Sequence, residues 1–231
     1  MNRAPMLVAL LAVLLLASCT APPATGPVRT FGGLRDVMRN GNDEGRVVLT
    51  DVATPTAVGV GALAGLRGEV TIADGRALVA ERVGDDVAMR DARPGERATL
   101  LVACEVAAWT ELPLPDCADY ATLEQRIGEA LRQRGVDPFA PTPVRVTGRA
   151  RNLRMHVIAG ACPIANPTGP SPWRYDGPAD DLTLVGFYVE DAAGQLTHHN
   201  RQSHLHAIAD ARTGHLDEVA LEQVRLFVPA K

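Results

Sequence analysis

The chain predicts an α+β fold, rich in antiparallel and mixed β-sheet, with two sheet units and few helices. Three observations predict it. Apolar and polar residues alternate at the strand period of two through several segments. Only two stretches carry helical spacing, and the two kinds of segment do not alternate as β-α units would. With 231 residues, the chain suits one domain, or two small ones sharing a core, and buries enough surface to hold without disulfide staples. Charged residues make up 22%, aromatics 4%, and the net charge is −4. With no basic stripe and few aromatic rings, neither phosphate tracking nor base stacking has a platform, which argues against a nucleic-acid partner.

The N-terminus carries Arg3, an apolar run from Met6 to Leu16, and then Leu16-Ala17-Ser18-Cys19. That run is too short to cross a bilayer, which takes about 20 residues, and reads as a signal-peptide core. Its last four residues resemble the lipobox of bacterial lipoproteins, which implies cleavage before Cys19 and a lipid on its thiol. The simpler reading is a plain secretory signal in which Cys19 is incidental. Residues 1–18 are thus expected to be a signal peptide, 19–30 a tether rich in Pro and small residues, and 31–231 the folded domain. This places the protein in the cell envelope, attached to a membrane through its lipid. Export implies an oxidising compartment. Cys104 lies in the apolar run Leu100–Cys104 and reads as a buried hydrophobe, whereas Cys117 and Cys162 stand in loop-like surroundings as candidates to pair.

Within the domain, Leu34, Val37 and Met38 recur at helical spacing and Asn40-Gly41 closes a short helix. Val47-Val48-Leu49 reads as a strand. The glycine-dense stretch from Ala57 ends in the turn Asp74-Gly75. Val70 and Ile72 alternate with Glu69 and Thr71, which makes this half of a hairpin returning through Leu78 and Val79. A strand following these glycines, in place of a helix, disfavours a nucleotide-phosphate loop. Leu100 to Val106 predicts a buried strand. After the Pro-rich Leu112–Pro115, an amphipathic helix buries Tyr120, Leu123, Ile127, Ala130 and Leu131, with Thr122 and Gln125 at capping-box spacing and Gly135 as its stop. Val144 to Ile158 is extended, with Leu153, Met155 and Val157 on one face and Arg154, His156 and Ile158 on the other. Residues 163–180 hold five prolines, which predicts irregular structure. A last strand-rich block starts at Leu182, turns at Ala193-Gly194 and runs to Val228.

That block contains Ser203-His204-Leu205-His206-Ala207. Side chains two apart on a strand project together, so His204 and His206 share a face while Leu205 and Ala207 pack behind. Asp210–Gly214 is polar, ends in glycine and predicts a reversal, and one register sets His215 opposite His206. Three neutral imidazoles with an open fourth position is the pattern of a catalytic zinc site. The competing reading is a surface hairpin with histidines on its wet face.

With these segments in order, the chain resembles the bacterial α-acetolactate decarboxylase family. The first motif runs Gly59-Val60-Gly61 through Leu66-Arg67-Gly68-Glu69. The second runs from Thr183–Phe187 to Ser203–His206 and Gly214-His215-Leu216-Asp217. The resemblance covers most of residues 31–228. It implies a two-domain, often dimeric protein in which His204, His206 and His215 hold zinc or a similar divalent ion, with Glu69 as a carboxylate beside the substrate. Without the resemblance, Glu69 reads as an exposed strand glutamate. The substrate-side arginine of that family falls on Val157, which leaves Arg154 as the nominee to bind the substrate, with His156 beside it. The turn before His215 is shorter than that family's, and the chain ends soon after Pro229 without an evident counterpart to its C-terminal acid.

What the resemblance implies chemically is decarboxylation of 2-acetolactate, a 2-hydroxy-3-oxo acid, to acetoin. Losing CO2 leaves an electron pair that flows into the neighbouring carbonyl, where a Lewis acid stabilises it, and Glu69 is the candidate proton donor to carbon. Two other classes compete. One is a lipoprotein binding module that keeps the fold and the metal without turnover. The other is a zinc hydrolase in which Glu69 serves as general base.

Overall fold

The structure is a computed structural model that describes residues 25–231 apart from 162–165, 167 and 199. The expected signal segment, Cys19 and Cys162 lie outside the described residues. In chain order the elements are β1 (Arg29–Phe31), α1 (Leu34–Asn40), β2 (Val47–Val48), β3 (Ala57–Leu63), β4 (Gly68–Ala73), β5 (Arg76–Val83), β6 (Asp86–Asp91), β7 (Arg97–Glu105), β8 (Trp109–Pro113), α2 (Tyr120–Gln133), β9 (Thr142–Val157), β10 (Trp173–Tyr188), β11 (Ser203–Ala209) and β12 (Arg212–Pro229). The predicted class, strand-rich with two sheets and two helices, is what folds.

The first sheet runs β1-β7-β3-β4-β5-β6, with β2 added on β7. Its strands pair antiparallel throughout. The expected hairpin turns at Asp74 and Gly75, whose φ values of 51° and 76° are the paired positive angles of a turn that matches strand twist. Residues of the expected tether already belong to this sheet: Thr25 bridges to Val106 and β1 pairs with β7. Because side chains alternate, β3, β4 and β7 have two different faces. Leu63, Val70, Ile72, Leu101 and Ala103 pack beneath Leu49 and Val52. The other face presents Val58, Val60, Ala73, Val102 and Cys104 to Val185 and Phe187 of β10.

In the second sheet the order is β11-β10-β9-β12-β8, and β11 also pairs with β12. Four strands therefore close on themselves. Their shared interior face carries Leu153, Met155, Leu184, Leu205, Ala207, Leu216 and Leu226, covered by Tyr120, Leu123, Ile127 and Leu131 of α2. Cys117 lies in this core, its thiol 3.5 Å from the Pro115 carbonyl, and its candidate partner Cys162 is outside the described residues. Burial raises the Cys117 and Cys104 thiols, the latter to about 12.

Three local expectations are corrected. α2 is capped by Asp119, which accepts from the Thr122 amide at 2.7 Å, so the capping oxygen comes one residue before the helix and the Thr122-Gln125 spacing is not its start. Leu112 and Pro113 belong to a strand, β8, paired with the end of β12; β8 is the last strand in its row, where a proline's missing N–H costs no ladder bond. Residues 173–180, expected to be irregular from their prolines, open β10. Pro178 falls between Gly177 and Ala179, where the β9 register shifts, and a bulge tolerates the ring a regular ladder would reject.

Leu205 is fully buried on the strand that carries two of the histidines. Leu205→Ala should cost about 2–5 kcal/mol by transfer and cavity terms, read as a lower urea midpoint with an unchanged slope.

Candidate metal centre

The histidines come together because of one hairpin. β11 and β12 are joined at Asp210 and Ala211, with φ of 48° and 57°, a two-residue turn tighter than the five-residue reversal expected. Arg212, Thr213 and Gly214 are strand residues, and the register sets His206 opposite His215 and Ala207 opposite Gly214. The backbone must approach closely here: a Cβ on Gly214 would lie 2.6 Å from the His156 carbonyl oxygen, so only glycine fits.

His204, His206 and His215 offer ring nitrogens that all lie within 4.8 Å of one another, with ring centroids 5.1–5.6 Å apart. They lie between the sheets: Leu205 and Ala207 point into the second core, as expected, and the imidazoles face β4. Glu69 and Thr71 face them from β4. Glu69 is only 4% exposed, which removes the exposed-glutamate reading. Its Oε2 is 3.7 Å from His206 Nε2, and its Oε1 accepts the Ile158 amide at 3.4 Å. Arg154 stands elsewhere, half exposed and 3.9 Å from Glu218. His156, two residues along the same face of β9, is opposite His215 with ring centroids 5.0 Å apart. Its Nδ1–H donates to Asp217 Oδ1 at 2.8 Å, whose other oxygen accepts from Arg174 at 3.2 Å. His198, from the connection between β10 and β11, packs against His215 at 4.6 Å.

α2 holds the approach to this cluster. Glu124 accepts from the Gln202 amide at 2.9 Å and from the Ser203 hydroxyl at 2.6 Å, and Tyr120 and Ser203 share a hydrogen bond of 3.0 Å. Ser203, the residue before His204, is thereby held by two hydrogen bonds and its neighbour Gln202 by a third. Burial raises the Glu124 carboxyl, against the Ser203 hydrogen bond.

Electrostatics divide the site. Burial first, and then the charge on neighbouring histidines, lowers His204 to about 3 and His206 and His215 well below the ordinary value. All three are neutral at pH 7, the form that ligates metal. Burial lifts Glu69 to about 7 against the pull of His156. His156 goes the other way: burial lowers it, but Asp217 and Glu69 together outweigh that and raise it. His206 Nε2 is buried with no hydrogen-bond partner, and leaving such an atom unmet costs about 1–3 kcal/mol. A cation at the centre of the three rings would satisfy it, so the donor set fits a divalent metal.

Sequence reasoning nominated His204, His206, His215 and Glu69, and these assemble. It missed Thr71, Thr213 and Asp217. Each is two residues from a nominated side chain on the same strand, and that period was the available signal.

Two antiparallel sheets enclosing an internal imidazole cluster define a β-rich protein whose three converging histidines could hold a metal ion. The sequence matches the model of the alpha-acetolactate decarboxylase family over residues 33–230. The chain belongs to that family. The crystal structure of alpha-acetolactate decarboxylase from Bacillus subtilis strain 168 superposes with a TM-score of 0.66 at 16% identity, covering 88% of this chain and 86% of that one. A Staphylococcus aureus protein of unknown function, described as similar to alpha-acetolactate decarboxylase, gives 0.64 at 17% identity over 87% and 84%. At such identity the likeness is one of fold. No curated protein sequence matches the chain.

In the metal-free protein, Glu69 has a folded value near 7 against an ordinary 4.5. Between these the folded state keeps a proton that the unfolded state has lost, so its contribution is full below about 4.5 and is lost as pH rises through about 7. The stability of the wild type relative to Glu69→Gln should therefore fall by up to about 1.4 kcal/mol per pH unit across that window. Urea unfolding of both proteins from about pH 4 to 8 checks it. The neutral histidines weaken both proteins alike in acid.

Proposed function

We propose that the protein is a zinc-dependent decarboxylase that converts 2-acetolactate to acetoin and CO2. The observation that carries this reading is the convergence of three buried imidazoles, one with an unpartnered Nε2, directly beside the carboxyl of Glu69. When bound by His204, His206 and His215, the ion supplies Lewis acidity toward the oxygen that receives the electron pair as CO2 leaves. Glu69, which keeps its proton up to about pH 7 because burial opposes its charge, delivers that proton to the carbon from which CO2 departed. The bond to the carboxylate breaks, a C–H bond forms, and the Glu69 carboxylate regains its proton from solvent. His156, braced by Asp217, takes the substrate carboxylate in this reading, because Arg154 is tied to Glu218 away from the cluster.

A non-catalytic metal-binding role is favoured by one observation, the absence of an arginine from the cluster among the described residues. A zinc hydrolase would use the same carboxyl as general base, since a value of about 7 suits either role near neutral pH, and acetoin formation separates the two.

The purified chain should hold about one divalent ion per molecule and form acetoin from racemic acetolactate in a colour assay. His204→Ala with His206→Ala should abolish the metal; full occupancy in that double variant, by elemental analysis, would falsify the site. Glu69→Gln should keep its metal and lose about 10² to 10⁴ in acetoin rate. Zinc bound without any acetoin formed identifies the binding role instead.

We further propose export and lipid attachment at Cys19. Several acyl chains give stable membrane binding where one is marginal. Cys19→Ser should shift the protein from the membrane to the soluble fraction; identical fractionation of the two would refute the anchor.

A further inference from the structure

An imidazole ligates a metal through one nitrogen, and what its other nitrogen touches decides which one keeps a lone pair. His206 Nδ1 lies 2.9 Å from Thr71 Oγ1. Thr71 Oγ1 in turn lies 2.8 Å from Thr213 Oγ1, and the Thr213 hydroxyl donates to the Ala207 carbonyl at 2.9 Å. Thr71, Thr213 and His206 are all 0% exposed, so no solvent completes their hydrogen bonds.

Each hydroxyl has a single proton to give. Thr213 has given its proton to Ala207, so between the two threonines Thr71 is the donor. Thr71 then has none left for His206, and His206 Nδ1 must supply the proton of the 2.9 Å contact. We infer that Thr71 and Thr213 form a relay that holds His206 as its Nδ1–H tautomer and leaves the Nε2 lone pair facing the metal centre. A second observation agrees. In the opposite arrangement Nε2 would carry the hydrogen, yet Nε2 has no hydrogen-bond partner and Glu69 Oε2, at 3.7 Å, is beyond hydrogen-bond length. That arrangement would bury an unpaired N–H; the relay leaves only a lone pair, which a cation accepts.

The relay also crosses between sheets. Thr71 belongs to β4 of the first sheet, whereas Thr213 and His206 belong to β12 and β11 of the second. The two threonines are positioning residues: they act on the ligand and touch neither metal nor substrate. This inference deepens the metal reading and rests on it for its function, but the tautomer itself is measurable without metal.

The test uses the full chain, stripped of metal and labelled with ¹⁵N at histidine. Long-range ¹H–¹⁵N correlation spectra should show a protonated Nδ1 and an unprotonated Nε2 for His206. Thr213→Val keeps the shape but removes the acceptor of Thr71, whose hydroxyl is then free to turn and donate to Nδ1. His206 should switch to the Nε2–H tautomer, and zinc affinity, titrated against a competing chelator, should fall by about 10- to 100-fold. Thr71→Val should lower zinc affinity over the same range, and Thr71→Ser should restore it. A purely packing role predicts no tautomer switch and no rescue by serine. The relay is overturned if wild-type His206 carries its hydrogen on Nε2, or if folded valine variants bind zinc as tightly as wild type. Should the variants fail to fold, the wild-type spectrum alone decides. An Nδ1–H tautomer in a wild type that binds no zinc supports the relay and overturns the metal reading.

Discussion

Everything in the functional region depends on the pairing of His206 with His215 across the β11–β12 hairpin. A two-residue turn leaves the strands no slack, and a slip of one residue would send every side chain to the opposite face. In the observed register His204, His206 and His215 meet Glu69 and Thr71 from the facing sheet, while Leu205, Ala207 and Leu216 fill the core behind. The same alternation that builds a hydrophobic interior on one side of β11 thus assembles a polar cluster on the other.

Burying that cluster between two apolar sheets creates an accounting problem, since each polar atom away from water needs a partner. The molecule solves it by surrounding the rings with short, specific bonds. Thr71, backed by Thr213, meets one nitrogen of His206, Asp217 meets His156, and the Ile158 amide meets Glu69. A backbone hydrogen bond at Leu196 raises His204 slightly against its burial. Among the described residues, His206 Nε2 is the cluster atom fully buried without a hydrogen-bond partner. Burial also separates protonation states: imidazoles packed against one another become neutral, while the carboxyl beside them keeps its proton to higher pH.

The fold supports the cluster from behind rather than from its rim. α2 is held to the second core by Tyr120, Leu123, Ile127 and Leu131, and through Glu124 and Tyr120 it clamps Ser203 immediately before His204. Arg201 stacks over the Tyr120 ring at 4.1 Å and donates to the Asp217 carbonyl at 2.9 Å, tying the start of β11 to the strand carrying His215. Such cross-links let a site made from separate strands hold one geometry.

Local patterns determined a great deal. Period two placed His204 with His206 and Leu153 with Met155, Asp74-Gly75 and Asn40-Gly41 marked their turn and helix end, and helical spacing found α2, because these signals act over a few residues and need no distant partner. The order and spacing of the motifs also revealed the family. Tertiary structure alone decided the rest. Pro178 lies in a strand because β9 supplies a bulge to receive it, and Pro113 because β8 lies at the end of its sheet. Glu69 is buried because the second sheet covers its face of β4. Arg154 and His156 lie on the same face of β9, yet only His156 reaches the histidines, for reasons of register with β12. Thr71 and Thr213 are 142 residues apart in sequence, and no local rule relates two hydroxyls that meet only when two sheets close over a ring.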